Sequence, residues 1–190
     1  MSSSKLSLLI PTLRSRAHFY DRLMDCLNPQ KTSEIQLVVM TDRGEMSTGK
    51  KRNWLLNKAI GEYVAHIDDD DLISDDYIKL VMEGIEKNVD CCSLKGIITF
   101  DGLNRQVFEH SIKYKEYLTN KRPNADGVLH ERFPNHLNTI KASIAKRFTF
   151  PDKNHSEDTE WAMKVFQSKL INTEHYIPSV IYYYEYRSNK

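Results

Sequence analysis

This 190-residue chain has no apolar run approaching the ~20 residues that a transmembrane helix needs, so no membrane-spanning helix is expected in it. Met1-Ser2-Ser3-Ser4-Lys5 leads into only a five-residue run, too brief for the core of a secretory leader. Cysteine is scarce: Cys26, Cys91 and Cys92 make no disulfide framework and lack the spacing of a zinc site. Cys91 and Cys92 fall in an apolar segment and read as small core residues in a reducing compartment. Charge of one sign is also missing. Lys and Arg total 27 against 26 Asp and Glu, a formal net charge of +1, so no global field draws the chain to nucleic acid or membrane. Lys50-Lys51-Arg52 is a local basic run with no nucleic-acid motif around it. Repeats and low-complexity tracts are absent. The expectation is a soluble, cytoplasmic, one-domain protein that recognises its partners locally.

What is present alternates between two periods. Residues 6–10 read as a buried strand stopped by Pro11-Thr12, and residues 17–27 as a helix with Phe19, Leu23 and Leu27 on one face. Residues 35–40 are β-branched and apolar, Thr41-Asp42-Arg43-Gly44 ends them, and residues 50–60 form a helix turning Trp54, Leu55, Ala59 and Ile60 inward. Residues 63–67 make a third strand, and Ser74 starts a helix carrying Ile78, Val81, Met82 and Ile85. Such alternation predicts an α/β fold: a mostly parallel, doubly wound sheet flanked by helices, with ligands beyond the carboxyl ends of the strands. The second half differs. Residues 91–100 read as a strand, Asp101-Gly102 as a hairpin turn and residues 105–110 as its return, a small appended β region. Residues 120–134 read as a long surface loop and a candidate lid. Ser156 caps a helix running to about Ser168, and residues 177–186 form the last strand.

Four carboxylates, Asp68-Asp69-Asp70-Asp71, follow the third strand directly. Two unit charges ~4 Å apart repel by roughly 1 kcal/mol in water and by more where solvent is thin, so the cluster calls for a cation. Magnesium and manganese take one or two carboxylates and complete their shells with water and phosphate oxygens. Helix capping is the competing explanation. It accounts for Asp75 and Asp76 but reaches Asp68 poorly, several residues upstream.

Pro11-Thr12 after strand one, Asp42 after strand two, Lys51-Arg52-Asn53 opening a helix, the acidic run after strand three and Glu157-Asp158 late in the chain occur in a familiar order. With the tyrosine-rich tail Ile181-Tyr182-Tyr183-Tyr184, the chain resembles glycosyltransferase family 2, of GT-A fold, over nearly its whole length. The resemblance implies a single Rossmann-like GT-A domain over residues 1–190, with a nucleotide-binding half over about 1–100 and an acceptor and catalytic half over about 101–190. It implies an inverting, Mn2+- or Mg2+-dependent transfer of a sugar from a nucleoside-diphosphate donor, typically UDP, to a hydroxyl of a glycan, lipid, protein or modified base. Pro11, Thr12 and Arg14 would line the nucleotide pocket, Asp42 would accept from the base, and Arg52 would lie near base or diphosphate. Asp68 would hold ribose or a metal-bound water and Asp70 the metal, with Asp69 and Asp71 one register away as the alternative pair. Asp158 is the candidate base, which Glu157 would support.

The chain departs from the family pattern at Leu13, Arg14, Arg16 and Arg43. It lacks the Gln-x-x-Arg-Trp signature of processive synthases, which favours single additions, and so compact a form suits a virus or a bacterial glycan locus. His136 is a candidate phosphate or acceptor contact, and Trp161 a candidate sugar-stacking ring, although packing explains both residue types equally well. Two other functions compete. A sugar-phosphate nucleotidyltransferase would need a glycine-rich loop after strand one, which is missing. A non-catalytic nucleotide-sugar-binding module would leave Asp158 away from the acidic loop.

Overall fold

The computed structural model describes residues 4–188. In chain order the elements are β1 (Leu6–Leu13), α1 (Ala17–Leu27), β2 (Ile35–Asp42), α2 (Thr48–Lys58), β3 (Tyr63–His66), β4 (Leu72–Ile73) and α3 (Tyr77–Glu86). There follow β5 (Cys91–Cys92), β6 (Leu94–Phe100), β7 (Leu103–His110), β8 (Leu118–Thr119), β9 (His130–Arg132), β10 (Ile140–Lys141), α4 (Ala142–Ala145), α5 (Glu157–Ser168), β11 (Glu174–His175) and β12 (Val180–Tyr186). Two six-stranded sheets form, in the orders β11-β5-β10-β3-β1-β2 and β4-β12-β6-β7-β9-β8.

β1 is apolar on both faces, the pattern of a strand covered on both sides. Leu6, Leu8 and Ile10 join a core with Leu23 and Leu27 of α1 and Ile78, Val81 and Ile85 of α3. Leu9 joins a second core with Leu55 and Leu56 of α2 and Trp161 and Val165 of α5. β1 pairs in parallel with β2 along its full length and with β3 only as far as Leu9, and β10 closes the other side of β3 antiparallel. The sheet is therefore mixed, with parallel pairs β11-β5 and β3-β1-β2 on either side of the antiparallel β10.

Several expectations need correcting. Pro11 lies inside β1 instead of stopping it. Ile67 N–H donates to Leu9 O at 3.1 Å, so the next nitrogen on that side belongs to residue 11, past the end of β3, where proline breaks no ladder bond. α2 begins at Thr48, and its buried face is Lys51, Arg52, Leu55 and Leu56, leaving Trp54 37% and Ile60 72% exposed. The apolar spacing misled because two basic residues occupy the inner face. α3 starts three residues after Ser74, since β4 is first drawn into the second sheet, where Ser74 N–H donates to Ile181 O. Residues 91–100 are two strands in different sheets, β5 and β6, split at Ser93. The appended β region is a full six-stranded sheet, and the 120–134 segment contains β9, paired to β7, with Val128 and Phe133 buried.

Candidate active site

The acidic run is the crossover between the two sheets: it leaves β3 in the first and enters β4 in the second. Asp71 N–H donates to Asp68 O at 3.1 Å, closing a tight turn that sends the four side chains in different directions. Asp71 faces the second sheet, accepting from Tyr182 OH (2.8 Å) and Glu185 N–H (3.2 Å). Burial, with the charges of Asp68 and Asp70, pushes its carboxyl well above the usual range. Asp69 faces β1, accepting from Thr12 Oγ1 (2.6 Å) and from Arg16 Nε (3.1 Å) and Nη2 (2.6 Å). Asp70 lies 2.9 Å from Arg16 Nη2 and 3.5 Å from Arg187 Nη1, and both guanidiniums sit over the Phe19 ring.

α2 brings the opposing positive charge. Ser47 caps it by accepting from Lys50 N–H (3.2 Å), and Thr48 N–H donates to Asn154 Oδ1 (2.9 Å). Gly49 N–H donates to Lys153 O (3.1 Å), and a Cβ on Gly49 would meet Pro151 O at 1.8 Å, so only glycine lets the helix dock on this loop. Docking aligns the first turn of α2 with that of α5. Arg52 Nη2 then donates to Asp68 Oδ1 (2.9 Å) and Nε to Glu157 Oε1 (3.2 Å). Burial opposes the guanidinium's charge, but Asp68, Glu157 and Asp158 outweigh it and raise its pKa. Burial likewise opposes the charge of Asp68, and the Arg52 guanidinium overrides it, holding Asp68 well below the usual carboxylate range. Lys51 Nζ donates to Thr12 O (3.2 Å) and pairs with Asp42, whose carboxylate also accepts from Gly44 and Met46 N–H.

These elements enclose a cavity of about 810 Å³ beyond the carboxyl ends of β1 and β3. Pro11, Thr12, Arg52, Asp68, Asp69, Asp70, Glu157 and Asp158, all singled out by the sequence, line it together. Asp42 stands one layer back as the anchor of Lys51. Arg14 does not line the cavity and is exposed. Trp161 is not brought to it either: its ring stacks on Phe150 at 4.9 Å within the second core and its Nε1 donates to Phe148 O, so it packs the wall from behind. Ser156 makes no side-chain cap and holds a left-handed φ of 60°, which aims Glu157 inward and Asp158 toward the cavity. His136 lies behind the wall between Asp68 and Asp158.

Sequence reasoning named Arg16 only as a departure from the family pattern, with no site role, and passed over Thr48 and Arg187. Arg187 reaches Asp70 from the far end of the chain through the second sheet.

The lining of the cavity is net acidic. Six acids (Glu45, Asp68, Asp69, Asp70, Glu157, Asp158) line it against three bases (Arg16, Lys51, Arg52), so a diphosphate entering alone meets net negative charge. Asp68 and Asp70 supply hard oxygen donors of the kind magnesium and manganese take. Among the described residues no group of three or more His, Cys, Asp or Glu is placed to hold a metal by itself. A cation here therefore needs further oxygens from water and substrate, and the donor set fits that mode. Burial and then the Arg52 charge hold the neighbouring His66 ring well below its usual pKa, hence neutral.

The model of the family described as glycosyl transferase family 2 matches residues 27–150, which include β2, α2 and the acidic crossover. The chain belongs to glycosyltransferase family 2. Its fold, GT-A, is shared with the crystal structure of S. aureus TarS 1-349, at TM-score 0.69 and 18% identity over 95% of this chain and 60% of that one. The complex of S. aureus TarS 1-349 with UDP aligns at TM-score 0.66 and 20% identity over 95% of this chain and 60% of that one. The complex with UDP-GlcNAc aligns at 0.68 and 18% over 98% and 60%. This family 2 chain thus spans about 60% of the length of these TarS chains. No curated protein matches it in sequence. Among the described residues no helix is long and apolar enough to cross a membrane.

Proposed function

We propose that this protein transfers a sugar from a nucleoside-diphosphate donor, UDP in type, to an acceptor hydroxyl, with inversion at the anomeric carbon and with Mn2+ or Mg2+ held by Asp68 and Asp70. The observation that carries this reading is the meeting of Asp68, Asp70 and Asp158 around one cavity with Thr12 and Arg52. The TarS complexes with UDP and UDP-GlcNAc support the choice of donor. Residues to about 100 form the donor half and the remainder the catalytic half.

In this reading Pro11 and Thr12 border the nucleotide and Asp42 fixes Lys51 beside it. When bound, the divalent cation supplies Lewis-acid stabilisation of the diphosphate charge. Arg16 and Arg52 add fixed N–H donors around the same carboxylates. Asp158 takes the proton of the acceptor hydroxyl as the oxygen bonds the anomeric carbon. The bond from that carbon to the diphosphate oxygen breaks, its electron pair leaving with the nucleoside diphosphate. Attack and departure on opposite faces give inversion. Glu157, bound to Arg52, holds the first turn of α5 in place.

A melting-temperature panel of nucleoside diphosphates and nucleotide sugars with Mn2+ tests the reading, because a ligand selective for the folded state stabilises it. UDP or a UDP-sugar raises the midpoint most. A panel in which no nucleotide diphosphate acts would contradict it.

A further inference from the structure

Behind the cavity, the His136 ring is 4% exposed and spans the two chemical ends of the site. Its Nε2 lies 4.0 Å from Asp68 Oδ2 and its Nδ1 3.9 Å from Asp158 Oδ2. Among the described residues neither nitrogen has a hydrogen-bond partner, which costs about 1–3 kcal/mol per buried polar group. The ring is not adrift. His136 O accepts from His66 N–H at the end of β3 (3.0 Å), Asn135 Oδ1 accepts from Leu137 N–H (2.9 Å), and Asn138 Oδ1 accepts from Asn135 N–H (3.0 Å). Asn138 Nδ2 then ties the turn to Cys92 O (2.9 Å), and the rings of His66 and Phe150 pack edge-on against the imidazole. A rigid turn therefore holds two unpaired nitrogens toward two carboxylates.

Among the described residues Asp158 is held by little else. Thr159 Oγ1 reaches it only at 3.5 Å, and its side chain is 35% exposed. A general base must lie within about 2.6–3.2 Å of the atom it deprotonates, and a misplacement of about 1 Å costs ~100-fold in rate. Catalytic hydrogen bonds that are long without substrate commonly tighten in the reactive complex. We propose that His136 is a positioning residue: closing a gap of less than about 1.5 Å, its Nδ1–H donates to Asp158 and so sets the base relative to the donor end. This rests on the sugar-transfer reading above.

The test uses hydrolysis of UDP-glucose, UDP-galactose and UDP-GlcNAc in turn with Mn2+, together with UDP affinity by calorimetry. His136→Ala lowers kcat by ~30- to 100-fold, while KM and the UDP Kd stay within about two-fold. His136→Asn, whose amide nitrogen stands where Nδ1 was, recovers about ten-fold of that loss, and His136→Gln, which reaches only the Nε2 position, does not. In an Asp158→Asn background His136→Ala changes the rate by less than about two-fold, because the residue acts through Asp158. Additive losses in the double variant overturn the proposal, as does absence of rescue in a His136→Asn protein that melts like wild type. A UDP affinity that falls together with kcat also overturns it, making His136 a ligand contact. Wild-type protein that neither binds UDP with Mn2+ nor hydrolyses any of the three removes the sugar-transfer reading itself, a result distinct from every variant outcome.

Discussion

Two groups of acids, one at the end of β3 and one shared by β7 and β11, are treated very differently by the fold. Glu109 on β7 is fully buried and accepts from Tyr114 OH (2.6 Å) and Tyr176 OH (2.7 Å) while pairing with Lys113 at 2.6 Å. Glu174 beside it accepts from Ser111 Oγ (2.7 Å) and Ile112 N–H (2.9 Å). Burial opposes the charge of Glu109, yet Lys113, Tyr114 and Tyr176 lower its pKa. Around the β3 acids, by contrast, Arg52 Nη1 and both nitrogens of His66 and His136 are buried without hydrogen-bond partners among the described residues. A saturated acid completes the fold. The β3 acids are themselves paired, but unpaired buried polar atoms lie beside them, and this contrast separates scaffold from candidate site.

The sharpest way to break the contrast is Asp158→Asn. Loss of a general base costs ~100- to 10,000-fold in rate, so transfer falls by that order while calorimetric UDP affinity stays within about two-fold. Unchanged turnover would return Asp158 to the surface acids of α5.

The comparison also explains what the sequence could reveal. The helix over 17–27 matched residue for residue because its apolar face is purely local, and the acidic run stood out because its charges are contiguous. Lys51 and Arg52 disrupted the reading of α2 because burying a base makes sense only beside Asp42, Asp68 and Glu157, which are distant in sequence. Arg187 was illegible for the same reason. The break at Ser93 had no local signal either: Ser93 Oγ accepts from Ile177 N–H (2.7 Å), a bond set by the chain returning from α5. Trp161 shows the converse, an aromatic residue whose type suited a sugar and whose position suited a core.

Glu109→Ala should act on the scaffold side. It removes the charged acceptor shared by Tyr114, Tyr176 and the exposed Lys113 and costs about 2–3 kcal/mol of stability in urea unfolding. The UDP affinity of the protein that remains folded is unaffected. A loss of affinity without loss of stability would blur the two groups.

A smaller, pH-dependent effect belongs to His110, next to Glu109. Burial, then the Arg132 charge, brings its pKa down to about 3, and its Nδ1 meets Asn138 Oδ1 at 3.2 Å. A histidine depressed on folding favours the neutral ring, so its contribution is intact above an unfolded value near 6.5 and is lost as pH falls from there toward 3. By pH 5 the loss is about 2 kcal/mol. His110→Gln flattens the melting-temperature profile between pH 6.5 and 5, and an identical profile in both proteins would contradict the assignment.

The central claim is that a cation at the β3 carboxylates lets an acidic cavity accept a nucleoside diphosphate. Its most direct test is the melting temperature of wild type and Asp70→Ala with UDP, each with and without Mn2+. Ligand at 100 times its Kd stabilises by about 2.7 kcal/mol, which for a domain of this size is roughly 5–10 °C. The account predicts that shift in wild type only when UDP and Mn2+ are both present, and its loss in Asp70→Ala. An equal shift with UDP alone, or one that survives in Asp70→Ala, would contradict it.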